Sequence, residues 1–154
     1  MSLLQTYQAI AEQEWIDIPQ GWLQGRTIYG GLVAGLMMQK AQHCIADPEK
    51  RLLSSSVTFV GPVQQGRARL TVEILRQGKS VTSIEVRLWQ DDAVQSILIA
   101  SFGVARESSI VVQQERAAPN FPPATELPVT EHHPLAPECF QQMDLVWAEG
   151  QYPF

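Results

Sequence analysis

Small and apolar residues, three glycines among them, fill nearly the whole stretch from Tyr29 to Gln39. A strand-like segment, Trp22–Ile28, leads into it, and the apolar spacing then becomes helical until Asp47-Pro48 ends the pattern. Apolar residues cover most of the helix circumference, which predicts a helix buried nearly all round. They are Leu32, Val33, Leu36, Met37, Ala41, Cys44 and Ile45.

The pattern on either side of this helix predicts a sheet to pack against it. Leu3–Glu12 has the apolar spacing of a short amphipathic helix, and Trp15–Ile18 is a short edge strand or an extended lead-in that stops at Pro19. Consecutive antiparallel strands are predicted after the helix. They are Arg51–Val60, Arg67–Leu75, Val81–Gln90 and Ala93–Arg106. The expected fold is α+β, one long helix wrapped by a curved antiparallel sheet whose edges and outer face remain for an oligomer partner.

The chain changes character after about residue 107. Residues 109–154 hold most of the prolines and no sustained periodicity, which indicates an extended, linker-like tail. Its last part is nevertheless apolar, with Phe140, Leu145 and Trp147. Either this tail packs back onto the domain of residues 1–108, or it leads to a second module.

Composition narrows the classes of function. With 154 residues, 45% apolar and 18% charged, the chain is expected to form one globular domain plus a tail. A net charge of −5 without a basic patch argues against nucleic acid as a partner. The N-terminus does not resemble a signal peptide and no apolar run suits a bilayer, so we expect a cytoplasmic protein that does not enter the membrane. Cys44 and Cys139 match no metal or redox spacing and are expected to be free thiols.

Four segments together resemble the N-terminal half of type II acyl-CoA thioesterases. The first is Tyr29–Gly35 leading into an apolar helix, which resembles the central helix of a hotdog domain. The others are Phe59–Pro62, followed by Leu75–Ser80 and by Ala100–Phe102. Their order and spacing, over roughly residues 15 to 110, make the match fairly specific.

This resemblance implies a hotdog fold and hydrolysis of fatty acyl-CoA thioesters by an activated water, without a cofactor. It also implies two hotdog modules in one chain, whereas this chain has one module and an apolar tail. Two expectations follow: this chain is a piece of a longer protein, or it pairs with a copy of itself as a homodimer or a higher homo-oligomer. The family's water-activating carboxylate lies on the central helix of the second module. The equivalent position here is Gln39, which cannot act as a base, and Ser56 stands where a histidine often precedes the Phe-x-x-Pro segment.

Gly30-Gly31 is the first candidate site. Glycine allows the first amides of the helix to approach a thioester carbonyl, at a helix end whose dipole favours developing negative charge. Close packing of strand against helix is the alternative explanation of the two glycines.

The remaining candidates have weaker support. Gln39, with Ser54, Ser55 and Ser56 of the next strand, offers an amide and hydroxyls to orient a water or a thioester. The alternative is a polar helix end and a strand beside a subunit contact, and the missing base favours this alternative. Gly78 and Lys79 belong to the turn that the family places near the substrate pocket, where Arg76 and Lys79 are placed to meet the phosphates of coenzyme A. A solvated turn is the more ordinary explanation of those charges.

The carboxylates nearest the predicted sheet are Asp17, Glu73 and Glu85. For Glu85 we expect a cross-strand salt bridge to Arg69 or Arg87 rather than catalysis. The candidate catalytic positions are Gly31 and Gln39, and no metal ligands are predicted. The candidate substrate-binding positions are Tyr29, Gly30, Ser54, Ser56, Gly78 and Lys79.

The sequence thus predicts an acyl-CoA thioester hydrolase, or half of one, whose general base comes from another module or subunit. The alternative is a non-catalytic half that binds the acyl thioester or completes an oligomer. A related hotdog dehydratase is a third option, and the lack of a histidine near the helix start counts against it.

Overall fold

The computed structural model describes residues 2–110, 116–117 and 119–151 of the chain. Residues 111–115, 118 and 152–154 of the predicted tail lie outside the described residues. The helices are α1 (Leu3–Ile10) and α2 (Gly30–His43). The strands are β1 (Trp15–Ile18), β2 (Leu23–Gln24), β3 (Thr27–Ile28), β4 (Arg51–Phe59), β5 (Gly66–Gln77), β6 (Val81–Gln90) and β7 (Ala93–Gly103).

Five antiparallel strands form the main sheet in the order β1-β5-β6-β7-β4. Helix α2 packs on one face of this sheet, against β5, β6 and β7. Alternation along β6 places Thr82, Ile84, Val86 and Leu88 on that face, where all four are buried. The predicted α+β architecture is confirmed, because a single apolar helix covers the apolar face of the sheet.

Strand β4 pairs with β7 at the sheet edge, although the sequence suggested four strands following one another in order. The chain leaves β4 at Gly61-Pro62 and passes β3 on the way to the start of β5. On this crossing the carbonyl of Val63 accepts from the Ile28 amide at 2.8 Å and from the Thr27 hydroxyl at 3.1 Å. The crossing fills the inner side of the sheet with Val63, which is 1% exposed, and leaves β4 at the outer edge.

The single strand predicted over Trp22–Ile28 is wrong. This segment forms a small separate hairpin, in which β2 pairs with β3. Gly25 adopts a φ of +71°, which reverses the chain and which residues with a Cβ rarely adopt. The hairpin delivers Tyr29 to the start of α2, where the Tyr29 amide donates to the Trp22 carbonyl at 2.8 Å.

Helix α2 is shorter and less enclosed than its composition suggested. It ends at His43 rather than at Asp47, and Cys44 closes it through its amide to the Ala41 carbonyl. Five residues are buried: Leu32, Val33, Leu36, Met37 and Ala41. Gly31, Gln42 and His43 are exposed. One side of the helix is therefore open, because a single sheet covers only the opposite side.

The described part of the tail contacts the β2–β3 hairpin. A 3₁₀ helix, Glu138–Gln142, packs against β2, and the Leu23 amide donates to the Glu138 carboxylate at 3.4 Å. Cys139 is fully buried there. This contact ties residues 138–142 to the hairpin, while the boundary after residue 108 and the role of the tail stay predictions.

Candidate functional site

The N-terminal end of α2 has backbone amides without acceptors. Tyr29 occupies the cap position, and its side chain makes no capping hydrogen bond. Its carbonyl accepts from the amides of Leu32 at 3.0 Å and Val33 at 3.2 Å. The amides of Gly30 and Gly31 have no acceptor among the described residues. Because the first amides of a helix carry its positive dipole end, this pair is suited to a carbonyl oxygen that gains negative charge.

Two aromatic rings flank these glycines. A Cβ built on Gly30 would lie 3.0 Å from Cζ of Phe59, and a Cβ built on Gly31 would overlap the ring of Tyr29. Both positions therefore favour glycine because of close approach. Gly31 is nevertheless exposed, and Phe59 is 55% exposed, so the amide pair lies beside an apolar surface that solvent and ligands can reach.

Ser96 is a buried polar group that the sequence patterns did not single out. It is 0% exposed, and its hydroxyl has no hydrogen-bond partner among the described residues. It lies opposite Phe59 in the β4–β7 pairing, on the face that carries α2. Buried hydroxyls are usually paired, so an unpaired one beside a candidate site is a functional signal. A serine at an inward position of β7, two residues before Leu98, was the available sequence clue.

Gln39 is not brought together with Ser54 and Ser56. Ser54 pairs with Ser101 and Ser56 with Ile99, which places both serines on the sheet face that points away from α2. The Gln39 amide lies 3.0 Å from the His43 ring nitrogen Nε2 along the helix. The register places Ser55, opposite Ala100, on the helix side.

The three strand carboxylates also lie on the outer face. Glu85 accepts from Arg87 at 2.5 Å, so one of the two expected partners is right, but the ion pair lies along β6 between alternate residues and the predicted cross-strand geometry is wrong. Glu73 lies directly opposite Glu85, and Asp17 lies opposite Arg67. None of these carboxylates faces the amides at the start of α2, so none is placed to act as a base there.

Gly78 and Lys79 lie at the other end of α2 from Gly30. The Lys50 ammonium, which follows the helix in the chain, donates to the Gly78 carbonyl at 2.9 Å. A helix of 14 residues is about 21 Å long. The predicted substrate-binding residues of this chain therefore form two separate regions rather than one pocket.

The described residues contain no candidate metal site and no candidate membrane-spanning helix. No group of three or more His, Cys, Asp or Glu side chains in residues 2–110, 116–117 and 119–151 is placed to hold a metal ion. Over the same ranges, no helix is long and apolar enough to cross a membrane. Cys44 and Cys139 are free thiols.

Comparison with known proteins identifies the domain type. The sequence model of the acyl-CoA thioesterase N-terminal domain matches residues 18–103, more than half of the chain. This match confirms the resemblance seen in the sequence segments around Gly30, Gly61 and Gly78. No curated protein sequence matches the chain.

Solved structures show the same fold. A hotdog-fold protein of unknown function from Alicyclobacillus acidocaldarius is 21% identical, with a TM-score of 0.70, over 82% of this chain and 47% of that one. A putative thioesterase II from Thermobifida fusca is 16% identical, with a TM-score of 0.67, over 88% and 51%. Acyl-CoA thioesterase II TesB2 from Mycobacterium marinum is 25% identical, with a TM-score of 0.61, over 80% and 47%. The predicted hotdog fold is confirmed, and the chain spans about half the length of these proteins.

Proposed function

The chain belongs to the acyl-CoA thioesterase N-terminal domain family, and we propose that it supplies the carbonyl-binding half of an acyl-CoA thioester hydrolase. The observation that carries this proposal is the uncapped start of α2. The amides of Gly30 and Gly31 lack acceptors among the described residues, and Gly31 is exposed. Two such donors stabilise the oxyanion that forms when water attacks a thioester carbonyl.

The surroundings of these amides suit an acyl thioester. The half-exposed ring of Phe59 lies against Gly30 and offers an apolar surface for the acyl chain. Tyr29 forms the other side, over Gly31. A polar carbonyl beside an apolar chain matches this arrangement of donors and rings.

The general base is proposed to come from a second thioesterase domain or a partner subunit. Asp17, Glu73 and Glu85 lie on the sheet face that points away from α2, and Gln39 has no proton-accepting carboxylate. The open side of α2 leaves room for another domain next to Gly31. The matched part of this chain spans only about half the length of the similar solved structures, which supports such a division of labour.

Strand β4 offers a surface for that second domain. It is an edge strand of nine residues, and Leu52 and Leu53 on it are 42% and 57% exposed. A long, apolar edge strand presents unpaired backbone groups and favours pairing with another strand. We propose that two copies of this chain, or this chain and a related domain, associate along β4.

A non-catalytic acyl-thioester-binding half is the second candidate, favoured by the glutamine at position 39. Two measurements on the purified chain separate the candidates. The first is calorimetric binding of a non-hydrolysable thioether analogue of an acyl-CoA. The second is release of free CoA from acyl-CoAs of several chain lengths, with and without a C-terminal thioesterase domain supplied in the same polypeptide.

The proposal expects binding by the chain alone and turnover only when the second domain is present. Binding without turnover in either form would favour the non-catalytic half. Turnover by the chain alone would overturn the claim that its base is external. Absence of binding in both forms would overturn the carbonyl-binding role itself.

A further inference from the structure

Two tryptophans and two arginines form a cluster on the face of the sheet that points away from α2. Trp15 on β1, Arg69 on β5 and Trp89 on β6 lie directly opposite one another across three neighbouring strands. Arg67, two residues before Arg69, lies on the same face of β5. We call these four residues the Trp–Arg cluster.

Both guanidinium groups lie over the Trp15 ring. The Cζ atom of Arg67 is 4.5 Å from the centre of this ring, and the Cζ atom of Arg69 is 5.8 Å from it. Arg69 also lies 5.3 Å from the centre of the Trp89 ring, so two indoles flank it. A guanidinium that stacks on an aromatic face keeps the N–H groups at its edge free to donate to a ligand.

The two arginines bring like charges together without a paired carboxylate among the described residues. Neither side chain forms an ion pair or a hydrogen bond in the ranges that the structure describes. Asp17 lies directly opposite Arg67 in the β1–β5 ladder, yet the Arg67 guanidinium contacts the Trp15 ring instead of this carboxylate. Two cations beside one ring repel each other, and an anion that binds both relieves this repulsion.

A cavity of about 260 Å³ lies beside the cluster. All four cluster residues line it, together with Gln90 at the end of β6 and Asp91 and Asp92 in the turn that follows. It is open to solvent, since Trp15 is 46% exposed. At about 30 Å³ for each water, this volume has room for roughly nine water-sized groups, which matches a small ligand.

Local structure fixes the walls of this cavity. The Trp89 indole N–H donates to the Thr71 hydroxyl at 2.9 Å and so orients the ring. Asp91 and Asp92 have φ values of 49° and 58°, which places both in the tight turn between β6 and β7. The turn accounts for these two residues. Their carboxylates nevertheless line the cavity and repel a ligand that carries several negative charges.

Cross-strand packing explains only part of this arrangement. An arginine between two tryptophans is an ordinary way to cover an exposed sheet face, and Arg69 fits that explanation. The explanation does not account for Arg67, a second cation on the same ring, or for the cavity between the cluster and the next turn.

We propose that the Trp–Arg cluster binds the carboxylate of a small monocarboxylic acid with a flat apolar body. The guanidinium edges donate to the two carboxylate oxygens, whose planar geometry they match. The indole rings face the apolar body of the ligand. The cluster and the amides of Gly30 and Gly31 are on opposite sides of the sheet, so this inference does not rest on the proposed hydrolase function.

The primary test follows the four indole N–H signals of the intact chain by nitrogen–proton NMR while benzoate is added. Benzoate is the probe because it joins one carboxylate to one flat ring. The signals of Trp15 and Trp89 are expected to shift and saturate, whereas those of Trp22 and Trp147, which do not line the cavity, should stay fixed. Trp15→Phe and Trp89→Phe assign the signals. Fixed signals from both cluster tryptophans would overturn the proposal.

Arg67→Gln, Arg69→Gln and the double variant test the cations. Each single change is expected to raise the Kd for benzoate about tenfold, since one charged hydrogen bond is lost. Both arginines lie on the outer face, so the variants should keep the fold, and unchanged amide signals from the core verify this. A wild-type Kd in the folded double variant would contradict carboxylate recognition by the cluster.

Arg26→Gln is the matched control. It removes the same charge from an exposed side chain in the β2–β3 turn, which does not line the cavity, and benzoate binding should be unchanged. A loss of binding equal to that of Arg69→Gln would overturn the proposal, because binding would then follow net charge alone.

Three further probes define the class of ligand. Benzamide has the shape of benzoate without its charge, and it should leave the cluster signals fixed. Acetate lacks the ring, and phosphate meets Asp91 and Asp92, so both should bind more weakly than benzoate. Equal shifts with benzamide would overturn recognition of the carboxylate, and acetate or phosphate that binds as tightly as benzoate would overturn the proposed ligand class. Turnover enters none of these measurements, so failure of the hydrolase proposal would leave their result intact.

Discussion

The ring of Phe59 lies against Gly30, so that a Cβ on Gly30 would come within 3.0 Å of its Cζ atom. This contact joins the end of β4 to the start of α2 and places an apolar ring beside the two unpaired amides. Gly30 is the first residue of the helix, a position where proline is tolerated, so the contribution of its amide can be tested by substitution.

Gly30→Pro and Gly30→Ala form a matched pair. Both add a side chain that Phe59 must accommodate, but only proline removes the amide. Proline is tolerated in the first turn of a helix, and Tyr29, with φ −49° and ψ 123°, already has the extended backbone favoured before proline. In the form that turns over acyl-CoA, we expect kcat to fall about 100- to 1000-fold more in Gly30→Pro than in Gly30→Ala. Equal rates in two folded variants would contradict the use of this amide.

Removal of a buried hydroxyl should change the free energy of unfolding in opposite directions, depending on whether the hydroxyl has a hydrogen-bond partner. Ser96 lacks a described partner, whereas the Thr82 hydroxyl accepts from Lys50 at 3.0 Å. We expect Ser96→Ala to raise the free energy of unfolding by about 1 kcal/mol and Thr82→Val to lower it by about 1–2 kcal/mol. Urea unfolding followed by circular dichroism measures both changes. Destabilisation by Ser96→Ala as large as that of Thr82→Val would show that the Ser96 hydroxyl has a partner.

If the chains associate along β4, a single substitution on that strand should lower the mass of the oligomer in solution. Leu53 is 57% exposed on the edge strand, so Leu53→Lys introduces a charge there without burying it in the monomer. We expect the wild type to be at least a dimer by light scattering and Leu53→Lys to shift towards the monomer. Leu4→Lys, at an α1 residue that is 67% exposed, is the control and should keep the wild-type mass. The same mass for all three proteins would contradict the β4 interface.

The tail contact predicts a pH dependence at Cys139. Burial raises the pKa of the Cys139 thiol and the Glu138 carboxylate adds to the rise, against a smaller lowering by a backbone hydrogen bond. A raised pKa means that the folded state retains the proton longer than the unfolded chain. The stabilisation is therefore complete below the thiol's unfolded-state pKa and is lost as the pH rises through the folded pKa.

Two measurements check this expectation. The free energy of unfolding should fall with alkaline pH more steeply in the wild type than in Cys139→Ala. Iodoacetamide should modify half-buried Cys44 before Cys139 in the folded chain. Equal modification rates would show that the contact between the 3₁₀ helix and β2 does not persist in solution.

Periodicity alone determined most of the secondary structure. Residues 81–90 alternate so regularly that β6 has the predicted bounds, and the glycine-rich approach to Leu32 placed the start of α2 correctly. Both are local properties, since side-chain alternation and helix starts depend on residues close in sequence. The sequence segments also identified the family, because their order along the chain reflects the order of the elements in the fold.

Only the tertiary structure determined which side chains lie on the same face of the sheet. Pairing of β4 with β7 placed Ser54 and Ser56 on the face away from Gln39, and it brought Phe59 opposite Ser96. A one-residue register shift placed Arg76 opposite Ser83 on the outer face, and not opposite the buried Thr82. Register and edge position depend on contacts between distant segments, and a shift of one residue exchanges the two faces of a strand. For that reason the sequence by itself located Gly30 and Gly31 but neither their neighbours nor the buried Ser96.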